Sequence, residues 1–195
     1  MIKRIFDFLF AFFSLIFLFP FLLIIALLIK RKISNDIFFI QKRAGYKCKT
    51  FDLIKFKTMN DNKDEKGNYL PDEMRIGLFG KWLRGTSIDE LPSFINIIRG
   101  ELSFVGPRPF DSEYLKYYNK EEVKRHSVMP GLTGWAQING RNYLTWEEKF
   151  SLDLWYVRNR NFLLDLKIIF ITILKVILKK GVNTMDGKSM PRFKR

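Results

Sequence analysis

Phe8-Leu9-Phe10-Ala11-Phe12-Phe13-Ser14-Leu15-Ile16-Phe17-Leu18-Phe19-Pro20-Phe21-Leu22-Leu23-Ile24-Ile25-Ala26-Leu27-Leu28-Ile29 is an apolar run of 22 residues interrupted only by Ser14 and Pro20. By count it can reach across a bilayer core, which takes about 20 such residues. Its flanks speak against a simple crossing. Lys3 and Arg4 precede the run and Lys30, Arg31 and Lys32 follow it, so the positive-inside rule asks for both ends on the cytoplasmic side. Pro20 lies near the middle, where the missing N–H and the ring clash cost a helix about 3 kcal/mol. The pattern predicts a re-entrant, helix-break-helix segment over 1–32 that enters one leaflet and returns, with a kinked single span as the alternative. A cleaved signal peptide fits less well, because the run exceeds the usual apolar core and no small-residue cleavage site follows. Asp7 is expected at headgroup level or paired with Lys3 or Arg4.

Outward from this run, residues 33–195 read as one cytoplasmic, membrane-associated domain. The whole chain has 195 residues, 47 % of them hydrophobic with 20 Phe, yet 28 % are charged, which excludes both a fully embedded and a disordered protein. The 34 Lys and Arg against 20 Asp and Glu give a net charge of +14 and imply an anionic partner: nucleic acid, acidic lipid or a phosphorylated substrate. Cys48 and His126 are the only residues of their kinds, which rules out an internal disulfide, a Cys/His zinc site within one chain and a multi-His metal cluster. Chemistry then falls to carboxylates, Lys, Arg and hydroxyls. Cys48 reads as a packed thiol with no His near it in sequence, and His126 as structural or solvent-facing.

The remaining pattern is mainly α with a short β-hairpin. Apolar and aromatic patches around Gly45 predict the hairpin within 37–56. The polar stretch 59–75 reads as an exposed loop that can close over a ligand, its acids solvated. Helices are expected over 76–83 and 92–98, the second ended by Gly100, and a surface helix over 111–125. Turn residues around Pro130-Gly131 and Gly140 put Trp135 and Arg141 on loops beside whatever they bind. Leu163 to Leu178 is apolar except for Asp165, Lys167, Thr172 and Lys175; Lys167, Lys175 and Lys179 share about a third of the helix circumference, which suits an interfacial helix with its lysines at the headgroups. Core packing of that helix is the alternative.

Asp89 and Glu90 stand out as adjacent acids where the chain otherwise gathers base. Ser87 and Glu90 have the spacing of a capping box, and Pro92 suits the first turn of a helix. A nucleophile or metal ligand beside a bound phosphate is the sharper reading, and the two are compatible. Cations recur in segments that also carry Gly and Pro: Lys55-Phe56-Lys57, Arg84, Gly106-Pro107-Arg108-Pro109 and Arg141. Two prolines fix the backbone around Arg108, and its planar fork matches phosphate oxygens.

In order along the chain, Lys55-Phe56-Lys57-Thr58-Met59, Leu83-Arg84, Asp89-Glu90-Leu91-Pro92, Gly100-Glu101-Leu102-Ser103-Phe104-Val105-Gly106-Pro107-Arg108-Pro109, Pro130 to Arg141 and Leu152-Asp153-Leu154-Trp155-Tyr156-Val157 give the sequence its clearest likeness. It resembles the bacterial sugar transferases, also called monotopic phosphoglycosyl transferases, from Lys3 to about Phe193. Its length is similar to the minimal catalytic form, without the multi-span N-terminal region of larger relatives. The resemblance implies transfer of a sugar 1-phosphate from a UDP-sugar to polyprenyl (undecaprenyl) phosphate, releasing UMP, at the cytoplasmic face of the bacterial inner membrane. It implies Asp89 as a nucleophile forming a phosphosugar-aspartyl intermediate, with Glu90 orienting it or assisting deprotonation of the acceptor. It further implies Mg2+ held by Asp89 and Glu90, and phosphate contacts from Lys55 and Arg108, with Arg84 and Arg141 behind them. Membrane lipids are then partners, and nucleic acid is not expected. Diacetylbacillosamine is a guess at the sugar, prompted by the small size.

Three positions depart from the family pattern: Phe19 precedes Pro20 where Ser is common, Lys57 stands where Arg is common, and Ser93 where Gln is common. None is the nucleophile, so activity is expected to be retained. The competing reading is a non-catalytic basic adaptor for acidic lipid or nucleic acid, indifferent to Asp89. A nucleotide-dependent enzyme of another kind lacks support, since no Walker-type or dinucleotide glycine loop follows a strand.

Overall fold

A computed structural model describes residues 2–140, 143–178 and Phe193. The opening apolar run lies inside one helix, α1 (Ile2–Lys32), with Pro20 in its interior. The chain stays helical across Pro20, against the expected break. Packing on both sides of the proline accounts for this: Ala11 and Leu15 join the main core, while Leu22, Ile25, Ala26 and Ile29 pack with Phe56 and Leu83 in a second cluster. Holding both arms offsets the one backbone hydrogen bond that proline removes.

The predicted hairpin forms. Strands β1 (Phe38–Ala44) and β2 (Thr50–Phe56) pair antiparallel, from Phe38 opposite Phe56 to Ala44 opposite Thr50. β2 buries Leu53 and Phe56; three residues apart, they point to opposite faces of the strand, Leu53 into the main core and Phe56 into the second cluster. Beyond the loop come α2 (Asp72–Arg75), α3 (Leu78–Gly85) and α4 (Phe94–Arg99). Gly100 ends α4 with φ +82, the left-handed conformation that glycine adopts without penalty.

A second strand pair escaped the sequence reading. β3 (Ser103–Val105) and β4 (Gly131–Thr133) run parallel, with Ser103 opposite Gly131 and Val105 opposite Thr133. Their crossing depends on bare backbone: a Cβ on Gly131 would lie 2.0 Å from the Gly106 nitrogen. Trp135 opens α5 (Trp135–Asn139) and is not on a loop. The helix expected over 111–125 is instead two 3-10 turns, Ser112–Tyr117 and Glu122–Ser127. Asp111 accepts from the Glu113 N–H, and Asn119 accepts from the N–H groups of Glu121 and Glu122; such side chains compete with helical hydrogen bonding.

Two long helices complete the body, α6 (Trp146–Asn159) behind a Thr145/Glu148 capping box and α7 (Phe162–Ile177) capped by Asn161. α7 buries Asp165 and Ile168 and leaves Leu163, Phe170 and Ile177 at 77 %, 63 % and 70 % exposure. This apolar stripe is the face expected of an interfacial helix. Lys175 does not share it, because its Nζ donates to the Ile138 carbonyl at 2.5 Å; Lys179 lies outside the described residues.

Candidate active site

The chain between α3 and α4 presents the acidic pair from a 3-10 turn, Ile88–Ser93. Ser87 sits in the left-handed region at φ 57 and its side chain makes no cap hydrogen bond, so the capping box does not form. Glu90 faces cations instead: its Oε1 accepts from Lys55 Nζ at 2.5 Å and from Arg108 Nη2 at 2.9 Å. Burial alone would raise Glu90, but Lys55 and Arg108 outweigh it and hold the carboxyl well below the usual range. Asp89 has no side-chain hydrogen bond or ion pair among the described residues. Burial and then the charge of Glu90 push its carboxyl up to about 6, against Lys55, Arg84 and Arg108. The result is one carboxylate saturated by cations beside one that is more basic than usual and free to react or to bind a cation.

Arg108 is held from two directions. Its guanidinium meets Glu90, and its carbonyl accepts from Arg125 Nη2 at 2.6 Å. Arg125 is itself fixed by Asp153, with Nη2 at 2.6 Å and Nε at 3.1 Å from Oδ2, and its guanidinium lies 4.3 Å from the Phe110 ring centroid. The side chains of this pair are 1 % and 2 % exposed, which corrects the surface placement read for Arg125. Fully buried ion pairs hold geometry well because breaking one strands a charge.

A cavity of about 1180 Å³ joins these groups. Lys55, Arg84, Asp89, Glu90 and Arg108 line its polar part, whereas Phe10 of α1, Phe94, Phe104 and, from α7, Ile169, Ile173 and Val176 line an apolar part. Arg84 is further committed through Nε to Thr58 Oγ1 at 2.9 Å. Arg141 lies outside the described residues. The loop 59–75 does border the cavity through Met59, Asp61, Tyr69, Asp72 and Arg75. Asp61 is not simply solvated, since Lys57 Nζ lies 2.6 Å from its carboxylate.

Gln41, Arg43, Lys149 and Asp153 also line the cavity, and none was singled out from sequence. Arg43 and Lys149 carried no local signal such as flanking prolines, and only the tertiary fold brings them in. His126 is structural: it is buried, its Nδ1 lies 3.0 Å from the Gly45 carbonyl, and burial followed by the neighbouring Arg125 charge pushes it down to about 4.

The sequence is similar to known proteins over nearly its whole length. The family model described as bacterial sugar transferase matches residues 1–179. The chain is 46 % identical to the uncharacterized sugar transferase EpsL of Bacillus subtilis strain 168, covering 98 % of this chain and 95 % of that one. It is 35 % identical to a UDP-glucose:undecaprenyl-phosphate glucose-1-phosphate transferase of Escherichia coli K12, over 93 % of this chain but 41 % of the longer relative. It is 33 % identical to a UDP-N-acetylgalactosamine-undecaprenyl-phosphate N-acetylgalactosaminephosphotransferase of Aeromonas hydrophila, over 92 % of this chain and 44 % of that one.

Proposed function

The chain belongs to the bacterial sugar transferase family, and on that premise we propose that it moves a sugar 1-phosphate from a UDP-sugar to undecaprenyl phosphate, releasing UMP. The observation that carries this reading is the carboxylate of Asp89, raised in pKa and unpaired among the described residues, next to a Glu90–Lys55–Arg108 cluster, in a cavity that is cationic in one part and apolar in another. A UDP-sugar supplies a diphosphate for the first part. A polyprenyl phosphate supplies an anion for the first and a hydrocarbon for the second.

In the first step an Asp89 oxygen attacks the phosphorus bearing the sugar. The bond from that phosphorus to the bridging oxygen breaks, and UMP leaves with the electron pair. In the second, an anionic phosphate oxygen of the acceptor attacks the same phosphorus, the bond to Asp89 breaks, and the carboxylate is restored as the polyprenyl-diphospho-sugar departs. Lys55 and Arg108 stabilise charge on the phosphoryl oxygens, and Arg84 adds a further positive charge to the cavity lining. Glu90, held ionised, is a poor base; its role in this reading is to hold the two cations where the diphosphate lies. Bound Mg2+ would neutralise diphosphate charge, and such an ion needs only one or two carboxylates beside the phosphates. Asp89 fits that demand better than Glu90, whose Oε1 already meets two cations.

Both ends of α1 pack on the same body. Lys3 Nζ lies 2.7 Å from Asp165 and Arg4 donates to the carbonyls of Ile97 and Ile98, while Ile25 and Ile29 pack with Phe56 and Leu83 at the other end. Between them Phe17 is 85 % exposed. This supports a segment that dips into one leaflet with both ends on the cytoplasmic face, where a membrane-bound acceptor and a soluble donor can meet.

The deciding experiment is UMP release from a panel of UDP-sugars, including UDP-glucose and UDP-N-acetylgalactosamine, with undecaprenyl phosphate as acceptor. At least one sugar should support turnover. Asp89→Ala and Asp89→Asn should abolish it while membrane association persists; normal turnover by either variant would overturn the reading.

A further inference from the structure

Arg43 has no part in the chemistry set out above, yet it borders the cavity from the hairpin with its side chain held in place. Its Nη2 donates to Gln41 Oε1 at 2.5 Å, and Gln41 Nε2 donates to Asp111 Oδ2 at 3.1 Å. The backbone is pinned as well: Arg43 bridges to Asp111 in antiparallel register, and the Ala44 N–H donates to the Phe110 carbonyl at 3.0 Å. Gln41 therefore aims this guanidinium and Asp111 holds Gln41 in turn, at the cost of two further side chains.

What it is aimed at is the open question, because no carboxylate among the described residues pairs with it directly. Among the described residues Arg43 makes no salt bridge, and its Nε is buried without a hydrogen-bond partner. Burying an unmatched cation is unfavourable, and here burial and then the Arg108 charge both oppose the ionised form, with Asp111, Tyr114 and Glu90 acting the other way. Arg43 lines the large cavity and also a void of about 20 Å³ shared with Lys55, Glu90 and Arg108. A void of that size holds roughly one water-sized group. Three cations thus border one carboxylate at that void, and an anionic oxygen would both complete the charge balance and meet the idle donor.

We propose that Arg43 binds a phosphoryl oxygen of a substrate, with Gln41 and Asp111 as the positioning residues that aim it. This rests on the transferase reading, which supplies two candidate sources of the oxygen, the donor diphosphate and the acceptor phosphate. A brace for the hairpin alone would need neither the unmatched charge nor the orientation toward the cavity.

The test uses the full chain in detergent micelles or nanodiscs, as wild type, Arg43→Gln, Arg43→Lys and Gln41→Leu. UMP release is measured against each substrate in turn, and inorganic pyrophosphate and UDP are titrated by calorimetry. Arg43→Gln should raise one KM by about tenfold to a hundredfold, the range of a lost charge-assisted hydrogen bond, with the unfolding midpoint within about 2 °C of wild type. Arg43→Lys should recover part of the loss, and Gln41→Leu should show a smaller loss in the same substrate. A raised donor KM with weaker UDP binding assigns the donor diphosphate. A raised KM for undecaprenyl phosphate with UDP binding unchanged assigns the acceptor. Unchanged KM values, or a lowered midpoint with both KM values unchanged, overturn the proposal in favour of a structural brace. If the wild type releases no UMP from any UDP-sugar, the transferase reading fails separately, and pyrophosphate affinity then decides Arg43 alone: weakening in Arg43→Gln supports it, and equal affinity refutes it.

Discussion

Adjacent carboxylates repel, and in Asp89-Glu90 the strain falls on Asp89 because Lys55 and Arg108 both bind Glu90. Asp89, raised from 3.8 to about 6, favours folding most when protonated. That contribution is fully present below pH 3.8 and is lost as pH rises through 6, so the ionised side chain costs up to about 3 kcal/mol at pH 7.5. Asp89→Asn should therefore unfold at a higher temperature than wild type at pH 7.5, with the gap closing toward pH 4, while its turnover is lost. Thermal scans at both pH values check this. In the wild type, kcat/KM should fall through an acid limb near pH 6 as Asp89 takes up a proton. Glu90→Gln removes the neighbouring negative charge and should shift that limb to lower pH; a limb that stays or rises would contradict the coupling. Local patterns of acid, base and proline picked out Asp89, Glu90, Lys55 and Arg108 in the sequence, and the fold brings the four to one cavity. Which cation meets which carboxylate was not, since Lys55 and Glu90 are joined only by packing of β2 against the turn.

At the scale of elements, the Arg108 segment is set by parts that sequence patterns describe poorly. β3 and β4 have three residues each, too few for a period to register, and their parallel pairing is not announced by a turn. The 3-10 turn that ends in Ser127 delivers Arg125 to Asp153 on α6, a contact 28 residues apart. Alternating charge over 111–125 resembled a solvated helix face because burial of an arginine leaves no mark when its partner is distant. Asp153→Ala should cost about 3–5 kcal/mol by leaving Arg125 buried and unpaired, read as a lower denaturation midpoint. Combining Arg125→Met with Asp153→Leu should restore most of the stability without the charge. It should not restore kcat/KM, expected to fall about tenfold, because the Arg108 carbonyl still lacks its anchoring donor. Recovery of both would reduce the pair to a packing role.

Over the whole molecule, α1 and α7 both expose apolar faces and are joined by one ion pair. Lys3 reaches Asp165 on α7, and Tyr156 donates to the same carboxylate at 2.7 Å, so the start of α1 is tied to the catalytic body by contacts a separate membrane anchor would not need. The 22-residue run was legible as a helix long and apolar enough to cross a membrane, and its basic flanks raise the expectation of a return. Continuity across Pro20 was not legible, because it depends on packing at both arms rather than on the proline itself. A straight helix of 31 residues would extend about 46 Å, enough to separate its ends by more than a bilayer core. If both ends instead stay on the cytoplasmic face, cysteines introduced at Lys3 and Lys32 in a Cys48→Ser background should both react with an impermeant thiol reagent in inside-out vesicles and neither in intact cells. Since Lys3→Cys removes the Asp165 contact, Ile2→Cys serves as a second N-terminal reporter that keeps it. Labelling of the two ends from opposite sides with both N-terminal reporters would establish a single span and overturn the re-entrant reading.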